Sequence, residues 1–280
     1  MRYLFLFFSV ALYSQQFINV DFKTVNANLI PNTTEKSISG EVNYQFEVLK
    51  AIDTIAIDAI KMDFTKVQIN GKTVNFKNTT KKLQLFEGFK KGKNSLTFSY
   101  KAIPKQTLYF IGENNQLQIW TQGQGKYTSH WLPSFDDVNE KVIFNISIKF
   151  NEGYTILSNG VLKNRDHKRN GYEKGFTTYN YEMSKPMSSY LVMLAIGNFT
   201  KQTAKTKSGT PLEFYIDEKD SDKFESTYKY TTQIFDFFEQ EIDVKYPWEI
   251  YRQVPVRDFL YSGMENTTST IFAQDFVVDK

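Results

Sequence analysis

Apolar side chains recur at every second position over much of the first two hundred residues. Val42, Tyr44, Phe46 and Val48 fall on one face, as do Leu96, Phe98 and Tyr100, and again Val142, Phe144, Ile146, Ile148 and Phe150. A period of two puts alternate side chains on one side of an extended chain, so these runs predict half-buried strands. Asn70-Gly71, Asn159-Gly160 and Asn170-Gly171 punctuate them with residues suited to tight reversals. Helical spacing is nearly absent here and no internal repeat is visible. The pattern predicts an antiparallel β saddle or sandwich, a mainly β fold.

After Phe199 the texture changes. Residues 202–211 are polar, with Lys, Thr, Ser, Gly and Pro, and read as a linker or crossing loop. A strand is expected at 211–216. Phe224, Tyr228, Thr231, Phe235, Phe238 and Ile242 then recur three and four apart, which predicts an amphipathic helix stopped by Tyr246-Pro247-Trp248. An extended stretch through Val254 and Val256 leads to Tyr261-Ser262-Gly263-Met264-Glu265-Asn266. One helix and a few strands bury too little surface to stand alone, so 202–280 is expected to be the incomplete α/β start of a second domain, behind a β domain at 15–201.

Residues 1–14 read differently from both. Arg2 precedes an apolar stretch from Tyr3 to Tyr13, and Ser14 offers a small residue before Gln15-Gln16, which predicts a cleaved export signal. The run is shorter than the ~20 residues needed to cross a bilayer, and no later stretch is long and apolar enough, so no membrane span is expected in the mature chain. The expected location is periplasmic, cell-surface or secreted.

Composition narrows the chemistry. The chain has no cysteine, which removes disulfides, thiolate nucleophiles and Cys-type metal sites. Its 34 Lys and Arg against 31 Asp and Glu fall in short runs such as Lys90-Lys91 and 163–169, giving no basic stripe for nucleic acid. A hydrolytic zinc helix carries His-Glu-x-x-His because a spacing of four puts both imidazoles on one face. The two histidines here, His130 and His167, stand far apart, His167 in what reads as a charged turn, and neither has that motif. No Gly-x-Ser-x-Gly elbow is present to serve His130 in a triad. The adjacent acids Asp136 and Asp137 would point to opposite faces of a strand and could not flank one bond. One acid is set apart: Glu265 lies between Met264 and Asn266 and precedes the small polar run Thr267-Thr268-Ser269-Thr270. A carboxylate on such a strand edge suits an ammonium ligand.

These residues bring out a resemblance covering nearly the whole mature chain. Gly263-Met264-Glu265-Asn266 resembles the Gly-x-Met-Glu-Asn loop of zinc aminopeptidases of the aminopeptidase N family, from its second residue onward. Trp120-Thr121-Gln122-Gly123-Gln124 and Trp131-Leu132-Pro133-Ser134-Phe135-Asp136-Asp137 are similar to the family segment that carries an amine-binding Gln or Glu and then a Pro and an Asp. Ser158-Asn159-Gly160, the stretch from Met187 to Phe199, and Tyr246-Pro247-Trp248 resemble further family landmarks, all in the family's order. Ser262, Ser134 and Val138 depart from the pattern, where the family has Gly, often Cys, and Pro.

The resemblance implies a peptide substrate with a free N-terminus. Its amine would be bound by Glu265, with Gln124 as second partner and Gln122 as a weaker candidate, while Gly263, Met264 and Asn266 complete the loop. It implies zinc in a full-length parent enzyme with a thermolysin-like catalytic domain, but no zinc bound by this chain, which is expected to be inactive alone. A stand-alone exported module that binds peptides without hydrolysing them is the alternative. Asn32, Asn78, Asn145, Asn198 and Asn266 match Asn-x-Ser/Thr. A glycan at Asn266 would crowd the candidate site, which favours a bacterial-type exported protein.

Overall fold

A computed structural model of the chain describes residues 16–167 and 174–279. The export-signal segment 1–14 and the Asn170-Gly171 turn lie outside the described residues. The fold is mainly β, built in layers. The largest sheet has nine strands in the order Val161–His167, Phe176–Glu182, Lys141–Asn151, Val20–Asn32, Ser37–Val48, Gly92–Ala102, Met62–Ile69, Lys72–Thr73, with Met187–Ser188 beside Lys141–Asn151. The alternating runs read from the sequence are the central strands, each with every second side chain buried. Pairing is antiparallel throughout this sheet except between Val20–Asn32 and Lys141–Asn151, which run parallel from Thr24 opposite Ile143 to Leu29 opposite Ile148. Parallel neighbours need a long crossover, and here the intervening chain builds four more strands of this sheet, all of a three-stranded sheet and two strands of a four-stranded one. At the Asn70-Gly71 reversal both residues have positive φ, the two-residue hairpin geometry that this dipeptide favours.

The inner face of this sheet shares one core with a three-stranded sheet, through Ile55, Ile57, Leu83 and Leu85, and with a four-stranded sheet, through Ile119, Ile156 and Ile196. That four-stranded sheet, ordered Thr155–Ser158, Leu194–Gly197, Gln118–Thr121, Leu108–Ile111, is the middle layer. Two of its strands are buried at every residue. Its far side, with Trp120, Leu157, Met193 and Ala195, packs on Tyr215, Val254, Val256, Met264 and Ile271 of the next sheet.

This third layer has five strands, ordered Phe199–Lys205, Pro211–Asp217, Tyr251–Val256, Ser269–Ala273, Gly263–Met264. It corrects the linker expectation, because Gln202 through Lys205 pair with Phe214 through Pro211 as an antiparallel edge. An edge strand with few buried side chains has no apolar alternation to betray it. The remaining face carries two helices, Phe224–Tyr228 and Thr231–Ile242, so the single expected helix is broken at Lys229 and Tyr230. The second helix ends at Asp243, whose φ of 54° closes it in the left-handed region before Tyr246 is reached. His167 is the last residue of a strand, not part of a charged turn.

Candidate functional site

The strand Gln118–Thr121 runs directly into the first candidate segment. Gln122 is buried, its N–H donating to the Thr107 carbonyl at 2.9 Å. Its side chain accepts from the backbone N–H of Gln124 at 3.2 Å and donates to Gln124 Oε1 at 3.4 Å. Gln124 itself is exposed. The two glutamines therefore divide the work: Gln122 holds the bend and Gln124 presents its amide. Between them Gly123 lies so close to its neighbours that a Cβ would sit 2.6 Å from the Tyr190 carbonyl oxygen and 2.6 Å from Thr128 Oγ1, room that only glycine leaves.

The second segment starts as a strand edge. Gly263 and Met264 pair with Phe272 and Ile271, and Met264 anchors the edge in the core beside the middle layer. Glu265 points to solvent and, among the described residues, takes no hydrogen bond or ion pair. Its neighbour Asn266 is 2% exposed, donates through Nδ2 to the Leu191 carbonyl at 3.3 Å, and keeps Oδ1 buried without a partner. A buried amide committed in this way leaves no room for a glycan, so in the folded chain Asn266 is not an acceptor. Thr267, Thr268 and Ser269 follow, all buried.

Residues 122–124 and 263–266 are far apart in sequence but share a support. Gly123 abuts the Tyr190 carbonyl and Asn266 bonds the Leu191 carbonyl, successive residues of one segment. That segment is fixed in turn by Thr128 Oγ1 donating to the Ser189 carbonyl at 2.9 Å and by Phe135 N–H donating to Ser189 Oγ at 3.2 Å. A carboxylate unpaired among the described residues and an exposed amide thus stand on two segments that meet one buried support, and both groups accept protons from a cation that donates them.

Behind the loop lies a charge that the sequence reading passed over. Arg252, 2% exposed, pairs through Nε with Glu213 Oε2 at 2.6 Å and donates through Nη1 to the Gly160 carbonyl at 2.7 Å. Burial alone would raise the Glu213 carboxyl, but the charge and hydrogen bond of Arg252, with Lys201, hold it below its ordinary range. A signal was available: Arg252, Val254 and Val256 have the same parity on one strand, so a charge was due on a buried face. Asn159, which bonds both the Leu191 and the Thr267 carbonyls, had no comparable signature beyond its place in Ser158-Asn159-Gly160.

The other candidate groups lie elsewhere. Asp136 is pushed up to about 6 by burial and then by the charge of Asp58, which accepts the Asp136 N–H at 2.9 Å. Glu140 is pushed up to about 7, first by burial and against the hydrogen bond it accepts from Phe22 N–H at 3.1 Å. His130 lies beside Tyr127 on a short 3-10 turn and is lowered by burial and by Lys61. His167 bonds Thr177 through Nδ1. Among the described residues no three His, Asp or Glu side chains stand together to hold a metal. The donor set on these residues does not fit the zinc that the resemblance implies.

Residues 21–191 match the Peptidase M1 N-terminal domain, and residues 226–280 match the Peptidase family M1 domain. The chain is similar to the leucyl aminopeptidase of Saccharolobus solfataricus, 23% identical over 79% of this chain and 28% of that protein. It is 33% identical to the glutamyl aminopeptidase of Rattus norvegicus over 48% of this chain and 14% of that protein. With the puromycin-sensitive aminopeptidase of Caenorhabditis elegans it shares 27% identity over 52% of this chain and 15% of that protein. The chain thus spans less than a third of the length of these curated relatives. The N-terminal match alone takes in more than half of the chain, the catalytic-domain match falls on the helices and the Glu265 loop in the expected order, and the chain belongs to peptidase family M1.

Proposed function

We propose that this chain is the amine-recognising portion of an exported zinc aminopeptidase that removes N-terminal residues from peptides. The observation that carries the reading is Glu265, a solvent-facing carboxylate without a partner among the described residues, on an otherwise buried loop brought with the Gln124 segment onto Tyr190 and Leu191. Glu265 would accept two protons of the peptide's ammonium and Gln124 Oε1 a third. Gly263, with no side chain of its own, would let substrate backbone lie against the edge. Zinc would be held by residues outside this sequence, and domain limits of 15–201 and 202–280, behind a signal at 1–14, remain part of the proposal.

The test is binding. Leu-Gly and N-acetyl-Leu-Gly are titrated into the 280-residue chain and followed by NMR. An exposed ion pair contributes up to about 1 kcal/mol, so the free amine is expected to bind about fivefold more tightly, and Glu265→Gln to abolish the preference. The preference should fade above about pH 8, where the α-amine loses its proton. Equal binding of the two peptides overturns the reading. On aminoacyl chromogenic substrates the chain is expected to give no turnover even with added zinc. Turnover abolished by a chelator would show that the metal site is carried here after all.

A further inference from the structure

Resting on that reading, we infer that the turn at 158–160, with Asn159 at its centre, is the positioning element that holds the Glu265 loop in its binding geometry. Asn159 is 1% exposed and every polar atom of its side chain is used. Its Nδ2 donates to the Thr267 carbonyl at 2.6 Å and to the Leu191 carbonyl at 3.0 Å, and its Oδ1 accepts from Met193 N–H at 2.8 Å. One side chain therefore ties the loop after Glu265 to the same Leu191 carbonyl that receives Asn266. A single amide sets the spacing between the loop and the segment that also supports Gly123.

The rest of the turn repeats the connection. Gly160 N–H donates to Thr268 Oγ1 at 2.7 Å, and Ser269 Oγ donates to the Ser158 carbonyl at 3.1 Å. Gly160 has a φ of 81°, and a Cβ there would fall 2.1 Å from the Glu182 carbonyl oxygen, so only glycine brings its N–H to this point. Thr268 has a φ of 68°, which a β-branched residue adopts only when its surroundings compel it. The compelling contacts are Gly160 N–H on its hydroxyl and Arg252 N–H on its carbonyl at 2.8 Å. The backbone three residues after Glu265 is thus held in a conformation it would leave if released. Asn159 touches no substrate in this account and acts through the loop.

The experiment repeats the two titrations with Asn159→Ala and with Thr268→Gly, which removes the hydroxyl acceptor while accepting the positive φ. Both are expected to lower the preference for the free amine from about fivefold to near unity while leaving N-acetyl-Leu-Gly binding within twofold. A role in stability alone would weaken both ligands together, and Phe98→Leu, which trims a fully buried ring of the nine-stranded sheet, supplies that comparison and should keep the preference. Preference retained in both variants, with the wild type discriminating, overturns this inference and leaves the amine site standing. No preference in the wild type overturns both. If Asn159→Ala does not fold, Thr268→Gly decides.

Discussion

The nine-stranded sheet and the five-stranded sheet are held by different forces. The first closes over a continuous apolar core, with Phe22, Tyr44, Phe98, Phe144 and Trp131 all fully buried. Aromatic rings interlock there, Phe22 lying 5.0 Å from Phe46 and 4.4 Å from Phe135. The second has a thin outer core of Leu212, Phe214, Ile216, Phe224 and Tyr228, and its longer helix has no buried residue. Phe238 and Ile242, on the apolar side of the expected helix, are more than half exposed, whereas Phe235 is drawn against Tyr246 and Tyr251. Beside its apolar contact with the middle layer through Tyr215, Val254 and Ile271, that sheet has polar anchorage, the Arg252 and Asn159 bonds that pin it to the same layer. The candidate site lies along this anchored seam, where backbone is fixed by directional bonds but a side chain can still face water.

The sharpest way to break the comparison is to remove one element of each kind. Phe22→Ala should destabilise the chain by about 3–5 kcal/mol through an unfilled cavity. Arg252→Ala should cost ~3 kcal/mol for a different reason, leaving Glu213 with only Lys201 and the Tyr215 hydroxyl and the buried Gly160 carbonyl without its donor. Urea unfolding distinguishes them through the double variants: Arg252→Ala with Glu213→Ala should cost less than the sum by about 1 kcal/mol or more, whereas Phe22→Ala with Glu213→Ala should be additive. Additivity in the first pair would mean that the seam does not depend on the ion pair.

Next in size is a pH effect from buried acids of the first region. Glu140 and Asp136 have folded values raised to about 7 and about 6, mainly by burial. A raised acid favours the folded state most fully below its unfolded value and loses that contribution as pH rises through the folded one. Stability should therefore fall between about pH 4.5 and pH 7, by on the order of 3 kcal/mol for Glu140. Glu140→Gln should flatten the slope, and an unchanged profile in that variant would show that another group is responsible. The smallest effect belongs to the exposed helix. Phe238→Ser should change unfolding free energy by no more than about 0.5 kcal/mol yet reduce self-association in light scattering, since Phe238, Ile242 and Val244 line an open apolar groove of about 450 Å³. A large loss of stability would mean that Phe238 is packed and the region is not thinly covered.

Much of the first region was legible because its strands alternate cleanly, and a period of two survives any tertiary arrangement. Legible too were the helical spacing after Phe224 and Glu265 as an isolated acid on a strand edge. The strand Phe199–Lys205 was not, because its polar edge carries no apolar period. Nor was the helix stop, since an Asp in the left-handed region has no distinctive neighbourhood.

Sequence alone determined which side chains of the alternating strands must be buried, where glycine is obligatory at a reversal, and that a lone carboxylate stands among small polar residues. Those are local properties, set by side-chain chemistry and backbone sterics within a few residues. Only the tertiary structure decided that Val20–Asn32 runs parallel to Lys141–Asn151, that Gln122 faces inward while Gln124 faces out, and that Asn159 joins the Glu265 loop to Leu191. Each of these depends on a bond between residues far apart in the chain, and a hydrogen bond of 3 Å leaves no periodic trace in either partner's sequence.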